Sequence, residues 1–549
     1  MHVLGIEGTA WALSAAVVSE TEVLSRADRP YRPPSGGIHP REAAQHHSAH
    51  VGEVVREALA GAEARGVPPR KLDGIAFSRG PGMGPCLRTV ATAARALALK
   101  LRKPLVGANH PVAHIEVGRW RTGALDPAVL YLSGANSQVL VADRGRYRVL
   151  GETLDVGLGN ALDKFGRFLG LPHPGGPRIE ELARSAGAAR QSLTTDARAR
   201  EGSRHLPLPY TVKGMDLSFA GLETAAEGLV ASGARREEVA CSLQETAFAM
   251  AVEVAERAMA YAGKEEVLLA GGVGANLRLQ EMLRTMAEAR GARFLVPERE
   301  FLADNGVMIA HLGLRLLRSG VETPVEESEV LPYQRADGVE LPWLSGGEGG
   351  LRPPSPSGLS PPPPALRGAE AVVEFRDGEA VKTRVPKAYR IAPIEERLRE
   401  ERLRREARLT VEARRAGIPT PLLRRVDPAA GVITMERLEG PSLRDRLTRD
   451  GCREAGRLLG RLHSAGVVHG DPTPSNFLYH GGRLCMIDFG MAETSAEEEA
   501  RGVDLHLFLQ CAPGSGREFR EGYREGFRGA GAVLRRAREI SRRVRYYQG

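Results

Sequence analysis

The chain has 549 residues, about three to four typical domains, and carries a formal net charge of +8, which permits a polyanionic partner without demanding one. Apolar residues make up 42%, charged residues 26% and aromatic residues 5%, a soluble globular composition, and no run reaches the roughly 18 apolar residues of a membrane span. Five cysteines without a C-x-x-C exclude a disulfide scaffold or zinc ribbon, and the start, MHVLGIEGTAWALS, lacks a secretory signal, so a cytoplasmic protein is expected. The 76 basic residues include only eight lysines, so each surviving lysine is a candidate for a chemical role.

From Val3, VLGIEGTAWALSAAVV predicts a strand, a tight small-residue turn and a second alternating strand. The pattern returns at Val129 in VLYLSGANSQVLVADR, where Val3, Leu4, Ile6, Gly8 and Leu13 align with Val129, Leu130, Leu132, Gly134 and Val139. Alanine-rich helices are expected over 41–63 and 89–103 after the first hairpin, and over 178–189 and 238–262 after the second. Two α/β halves opening on small-residue hairpins resemble the layout of actin and sugar-kinase-like ATPases, a two-lobed fold whose hairpin amides cradle nucleotide phosphates. Two further glycine turns fit it: LLAGGVGANLRLQEML from Leu268, and PGGPRIEELA around Gly175 and Gly176.

His110 and His114 stand four apart, and Pro111 suits the first helical position, so a helix is expected to start at His110 and present both imidazoles on one face. His46 and His50 share that spacing but lie inside a helical run and read as surface or core histidines. A zinc peptidase of the H-E-x-x-H type places its general-base Glu directly after the first His; Pro111 stands there and opposes that reading.

Glycine, proline and serine dominate 341–366, and the division expected is 1–330, a linker over 331–366, and 367–549. In the second module His469-Gly470-Asp471, Asn476 and Asp488-Phe489-Gly490 follow the order of H-R-D-x-x-x-x-N and D-F-G. Asp471 would orient or deprotonate the attacking hydroxyl, while Asn476 and Asp488 would hold Mg²⁺ against ATP phosphates. Lys382, in the alternating EAVKTRV, is the phosphate-pairing lysine expected, with Glu406 of the charged 395–415 helix as its partner. Gly368 opens GAEAVVEF where a glycine-rich loop belongs, without G-x-G-x-x-G. No A-P-E follows Asp488, so an ATPase is expected rather than a regulated peptide kinase. The terminal run 535–545, with six arginines and one glutamate, reads as a solvated helix or as a contact for the phosphates of a polyanionic partner.

These motifs together resemble the archaeal fusion of the two enzymatic subunits of the KEOPS complex. Residues 1–325 are similar to the tRNA N6-adenosine threonylcarbamoyltransferase through SRGPGMGPCLRTV, HPVAH, LYLSGANSQ, GNALDKFGRFLGLPHPGGPRIEELA, SFAGLETAA, AGGVGAN and ADNGVM. Residues 367–549 are similar to the small atypical serine/threonine kinase, a bilobal α+β domain, through GAEAVV, VKTRVPKAYR, RREARL, ITMERLEG, HGDPTPSN, MIDFG and RRVRYYQG. The resemblance implies transfer of threonylcarbamoyl from threonylcarbamoyl-AMP to N6 of the adenosine beside the anticodon, in tRNAs reading codons that begin with adenine. It implies an iron or zinc ion on His110, His114, Tyr131 and Asp304, and the acyl adenylate on Tyr131, Leu132, Ser133, Gly134, Ala135, Asp163, Gly176, Glu180 and Asn276. It further implies ATP and Mg²⁺ on Gly368, Lys382, Glu406, Asn476 and Asp488, with Asp471 catalytic, and other small KEOPS subunits as partners. The chain departs from the kinase pattern at Pro472 and Pro474, which push Asp471 and Thr473 towards extended backbone. Rival readings are a regulatory serine/threonine kinase with an accessory actin-like domain, a metallopeptidase and a non-catalytic scaffold.

Overall fold

The computed structural model describes residues 1–33, 36–191, 205–345, 365–367, 371–512 and 514–546, excepting the side chains of 187–191, 365–367 and 542–546. The chain forms two compact units, one of Met1–Ser355 with Ala388–Arg390, the other of Pro356–Lys387 with Ile391–Gly549. No helix among the described residues is long and apolar enough to cross a membrane.

Unit 1 opens with β1 (Val3–Glu7), β2 (Ser14–Val18), β3 (Val23–Asp28), α1 (Pro40–Ala64), β4 (Gly74–Gly80), α2 (Gly84–Leu101), β5 (Leu105–Asn109) and α3 (His110–Thr122). Its second half runs β6 (Ala128–Leu132), β7 (Ser137–Asp143), β8 (Arg146–Glu152), α4 (Leu158–Phe168), α5 (Gly175–Gln191), β9 (Val212–Lys213), β10 (Asp216–Leu217), α6 (Ala220–Ala231) and α7 (Arg236–Ala262). It closes with β11 (Glu266–Ala270), α8 (Leu277–Ala289), β12 (Arg293–Leu295), α9 (Arg299–Leu302) and α10 (Gly306–Arg318). The first sheet has the order β3-β2-β1-β4-β5 and the second β8-β7-β6-β11-β12, so each half is a three-stranded antiparallel meander extended by two parallel strands. This repeat is the actin-like architecture expected from the two hairpins. Strands β1 and β6 lie at the centre of their sheets with every residue buried, which is why VLGIE and AVLYL read as apolar runs rather than alternations.

The 27-residue α7 is alanine-rich because it is buried on most of its circumference, with Leu243, Phe248, Met250 and Val254 among its own buried residues. Helix α2 starts at Gly84, five residues before the expected 89, since Pro85 occupies its first turn, where a missing N–H costs nothing. Residues 331–345, expected to begin the linker, are packed on unit 1. Leu341 is fully buried and donates its N–H to Gly145 O at 2.7 Å, and Leu331 N–H bonds Arg79 O at 2.8 Å. The Arg315 guanidinium lies 4.3 Å from the Trp343 ring centroid. The apolar residues of LPYQRADGVELPWL have no helical or strand period, yet they have enough area to bury.

Unit 2 begins with β13 (Ala365–Arg367), β14 (Ala371–Arg376), β15 (Glu379–Arg384), α11 (Ala392–Arg415), β16 (Leu423–Asp427) and β17 (Val432–Glu436). The five strands form one antiparallel sheet ordered β13-β14-β15-β17-β16. A helical lobe follows: α12 (Arg449–Ser464), β18 (Val467–Val468), β19 (Phe477–His480), β20 (Arg483–Met486), β21 (Glu493–Thr494), α13 (Glu498–Cys511), α14 (Gly516–Gly526) and α15 (Ala530–Tyr546). Leu458, Leu462, Phe477, Met486, Phe508 and Phe519 are among its core residues. Helix α11 is highly charged, but Ile394, Leu398, Leu403, Glu406 and Leu409 are buried, so it presents one internal face.

Candidate metal and nucleotide sites

Strand β5 ends at Asn109, whose side chain caps α3 by accepting the Val112 N–H at 3.1 Å, and Pro111 fills the first turn. The cap fixes His110 and His114 one turn apart, their ring centroids separated by 4.8 Å. Asp304, just ahead of α10, places Oδ1 at 3.4 Å from His110 Nε2 and 3.1 Å from His114 Nε2. Among the described residues these three side chains form the one His/Cys/Asp/Glu cluster that could close on a metal ion. Tyr131, the fourth expected ligand, lies with its ring 5.5 Å from that of His114 and its buried hydroxyl without a hydrogen-bond partner. An orphaned buried hydroxyl costs about 1–3 kcal/mol unless something takes its place as partner. Two imidazole nitrogens, a carboxylate oxygen and this phenol fit an ion such as iron or zinc that accepts mixed N and O ligands.

The surroundings tune the cluster. Glu7, fully buried at the end of β1, sets Oε2 at 3.1 Å from His110 Nδ1 and accepts the Thr9 N–H and O–H on Oε1, each at 2.7 Å. With Nδ1–H donating to Glu7, the Nε2 lone pair of His110 is directed to the cluster. Burial opposes the charge on His110, but the Glu7 and Asp304 carboxylates outweigh it and raise its pKa. Burial also disfavours ionised Asp304, yet the two imidazoles hold its carboxyl well below the usual range. Burial raises the Tyr131 hydroxyl and lowers His114. Gly271, at φ +89°, passes so close to β6 that a Cβ there would stand 2.4 Å from Leu132 O and 3.1 Å from Tyr131 Cε2.

The residues expected at the acyl adenylate are brought to four loop ends. The turn 132–135 is held by Ser133 N–H to Asn136 O at 2.8 Å and by Asn160 N–H to Gly134 O at 2.9 Å. Asp163 accepts the Gly175 N–H at 2.6 Å, fixing the start of α5 where Gly176 lies. Glu180 accepts the Leu277 N–H at 3.1 Å, and Asn276 caps α8 while donating to Gln244 Oε1 at 2.9 Å. His46 and His50, with ring centroids 4.6 Å apart, belong to no such cluster; His50 faces Glu53 at 3.2 Å.

In unit 2, Lys382 Nζ donates to Glu406 Oε1 at 2.7 Å and Asp488 Oδ1 at 2.6 Å. Burial would lower Lys382, but the two carboxylates raise it. Asn476 Nδ2 bonds both Asp471 O at 2.8 Å and Asp471 Oδ2 at 3.0 Å. Burial and then the neighbouring Asp488 carboxylate push Asp471 up to about 7. The two prolines are accommodated: Thr473 is extended at φ −72° and ψ 155°, and Pro474 opens the short turn that carries Asn476. Gly470 replaces the motif arginine because φ is +80° and a Cβ would stand 2.5 Å from Met491 O. Gly368 lies outside the described residues.

The sequence reading missed Glu7, Arg384 and Asp504. Arg384 Nη2 donates to Glu406 Oε2 at 2.6 Å. Asp504 of α13, fully buried, accepts the N–H of His469 at 2.7 Å and of Gly470 at 2.9 Å and faces His463 Nε2 at 3.1 Å, bracing the loop before Asp471.

Residues 22–311 match the family model for TsaD, tRNA N6-adenosine threonylcarbamoyltransferase, and 394–512 match the lipopolysaccharide kinase (Kdo/WaaP) family. A probable bifunctional tRNA threonylcarbamoyladenosine biosynthesis protein of Methanosarcina mazei is 52% identical over 560 residues, covering 99% of each chain. The protein of the same description from Methanoculleus marisnigri is 52% identical over 552 residues, 99% of this chain and 98% of its own. Among solved structures, HypF of T. kodakarensis aligns with 58% of this chain and 47% of its own at 16% identity and a TM-score of 0.41. A transferase module of the actin-like class followed by a kinase-like module, matched end to end by these relatives, makes the chain a member of the bifunctional tRNA threonylcarbamoyladenosine biosynthesis family.

Proposed function

We propose that unit 1 transfers the threonylcarbamoyl group of threonylcarbamoyl-AMP to N6 of the adenosine beside the tRNA anticodon, with a metal ion on His110, His114, Tyr131 and Asp304. The observation that carries this reading is the partnerless Tyr131 hydroxyl, buried beside two imidazoles that already converge on Asp304. N6 attacks the carbamoyl carbonyl carbon, the bond from that carbon to the phosphate oxygen breaks, N6 loses a proton and AMP leaves. The turn 132–135 and the loop ends at Gly176, Glu180 and Asn276 hold the adenylate, with Asp163 keeping the start of α5 in place. An iron or zinc ion would supply Lewis acidity to the carbonyl oxygen.

Unit 2 binds ATP through Lys382, kept in place by Glu406; Asp471 orients the attacking hydroxyl or water, and Asn476 and Asp488 are placed to hold Mg²⁺. Its work is to drive or regulate the transfer cycle, together with other small KEOPS subunits. Supplying purified chain with threonylcarbamoyl-AMP and unmodified tRNA tests the transferase reading. Threonylcarbamoyladenosine is the expected product; metal-loaded, folded chain that forms none would overturn it.

A further inference from the structure

Strand β15 alternates, so Lys382 and Arg384 share its inner face, 9% and 5% exposed. Glu406, 4% exposed, turns one carboxylate oxygen to each: Oε1 to Lys382 Nζ at 2.7 Å, Oε2 to Arg384 Nη2 at 2.6 Å. Lys382 and Arg384 converge with Asp488 at Gly490, where a Cβ would stand 3.0 Å from Asp488 Oδ1, 3.3 Å from Arg384 Nη2 and 3.5 Å from Lys382 Nζ. In regulated kinases the lysine–glutamate pair is made and broken by motion of the helix that carries the glutamate, under control of a phosphorylated activation loop. This chain has no A-P-E to frame such a loop.

We propose that Arg384 is a positioning residue that latches Glu406 inward, so that the Lys382–Glu406 pair stands assembled without an activation-loop signal. A carboxylate held on one oxygen can pivot; held on both, it leaves only when two buried charge-assisted contacts break together. The second contact disfavours the outward state of α11 by about ten- to a hundredfold. The latch rests on the reading of unit 2 as an ATP-hydrolysing module.

The test is steady-state ATP hydrolysis by the full chain with Mg²⁺, comparing wild type, Asp488→Ala, Arg384→Met and Arg384→Lys. Wild-type turnover lost in Asp488→Ala upholds the ATPase reading; a wild type without turnover removes that reading and the latch with it. With the reading upheld, Arg384→Met is expected to lower kcat about tenfold or more with KM for ATP changed less than threefold, and Arg384→Lys to recover most of kcat. A kcat within twofold of wild type, a rise in KM alone, or a lysine variant as slow as methionine overturns the latch. Should Arg384→Met not fold, Arg384→Gln takes its place, read by hydrogen exchange. Amides of 400–410 are expected to exchange about tenfold faster while those of β19 and β20 keep their rates, and unchanged exchange over 400–410 overturns the proposal.

Discussion

Replacing Asp504 by alanine removes the acceptor of two backbone N–H groups, those of His469 at 2.7 Å and Gly470 at 2.9 Å, in a place without water access. Each is a hydrogen bond to a charged group, worth about 1.5–3 kcal/mol, so the two orphaned donors cost unit 2 roughly 3–6 kcal/mol. For a unit of this size about 2–4 °C of Tm follows each kcal/mol, giving a fall of roughly 6–24 °C. The asparagine variant keeps one accepting oxygen and loses the charge, and about half the fall is expected. Calorimetry of the full chain resolves the effect as movement of one transition while that of unit 1 stays fixed. ATP turnover should fall more than tenfold in Asp504→Ala at temperatures where unit 2 is folded, because Asp471 follows directly on the braced residues. A transition within about 3 °C of wild type, or unaltered turnover, would refute the bracing role.

His311 stacks on Trp120 with ring centroids 4.5 Å apart and neither nitrogen partnered, and burial, then Arg315, lower its pKa to about 3. The unfolded chain takes up a proton below about pH 6.5 and the folded one does not, so unit 1 should lose about 1.4 kcal/mol per pH unit from there towards pH 3. His311→Phe should remove this part of the acid sensitivity, read from urea midpoints against pH; an identical slope would contradict the assignment. Leu341→Ala should destabilise unit 1 by about 2–5 kcal/mol, where a linker residue would cost under about 0.5 kcal/mol. Deleting Arg542–Gly549 should weaken tRNA binding and flatten its dependence on log salt while leaving threonylcarbamoyl-AMP affinity unchanged; an unaltered slope would return the run to an ordinary solvated helix. Within that run Arg536 is drawn to Glu499 and Glu539, and residues 547–549 lie outside those described.

Much of the architecture was legible because local spacing encodes it. Two hairpins with matched apolar positions announce the repeated halves, Pro111 after His110 announces a helix start, and the order His469, Asp471, Asn476, Asp488 announces the kinase-like module. What the sequence hid are partners set by long-range packing. Glu7 is 103 residues from His110, and nothing in VLGIEGT distinguishes its carboxylate from a surface one until β1 proves buried. Asp504 sits in a helix whose other acids, Glu498 and Glu499, are exposed and half-buried respectively, 35 residues beyond the His469 amide that it holds. Arg384 disappears among 76 basic residues, and only the alternation of β15 puts it beside Lys382. Residues 331–345 looked like linker because their apolar side chains follow the surface of unit 1 rather than a period of their own.

The central claim, that His110 and His114 hold the ion needed for threonylcarbamoyl transfer, is tested most directly by metal content per folded chain in two double variants, with transfer to tRNA measured on the same samples. His110→Ala with His114→Ala should contain no bound iron or zinc and modify no tRNA, whereas His46→Ala with His50→Ala, at the same spacing but outside the cluster, should keep both. Full metal occupancy with intact transfer in the first double variant would contradict the account.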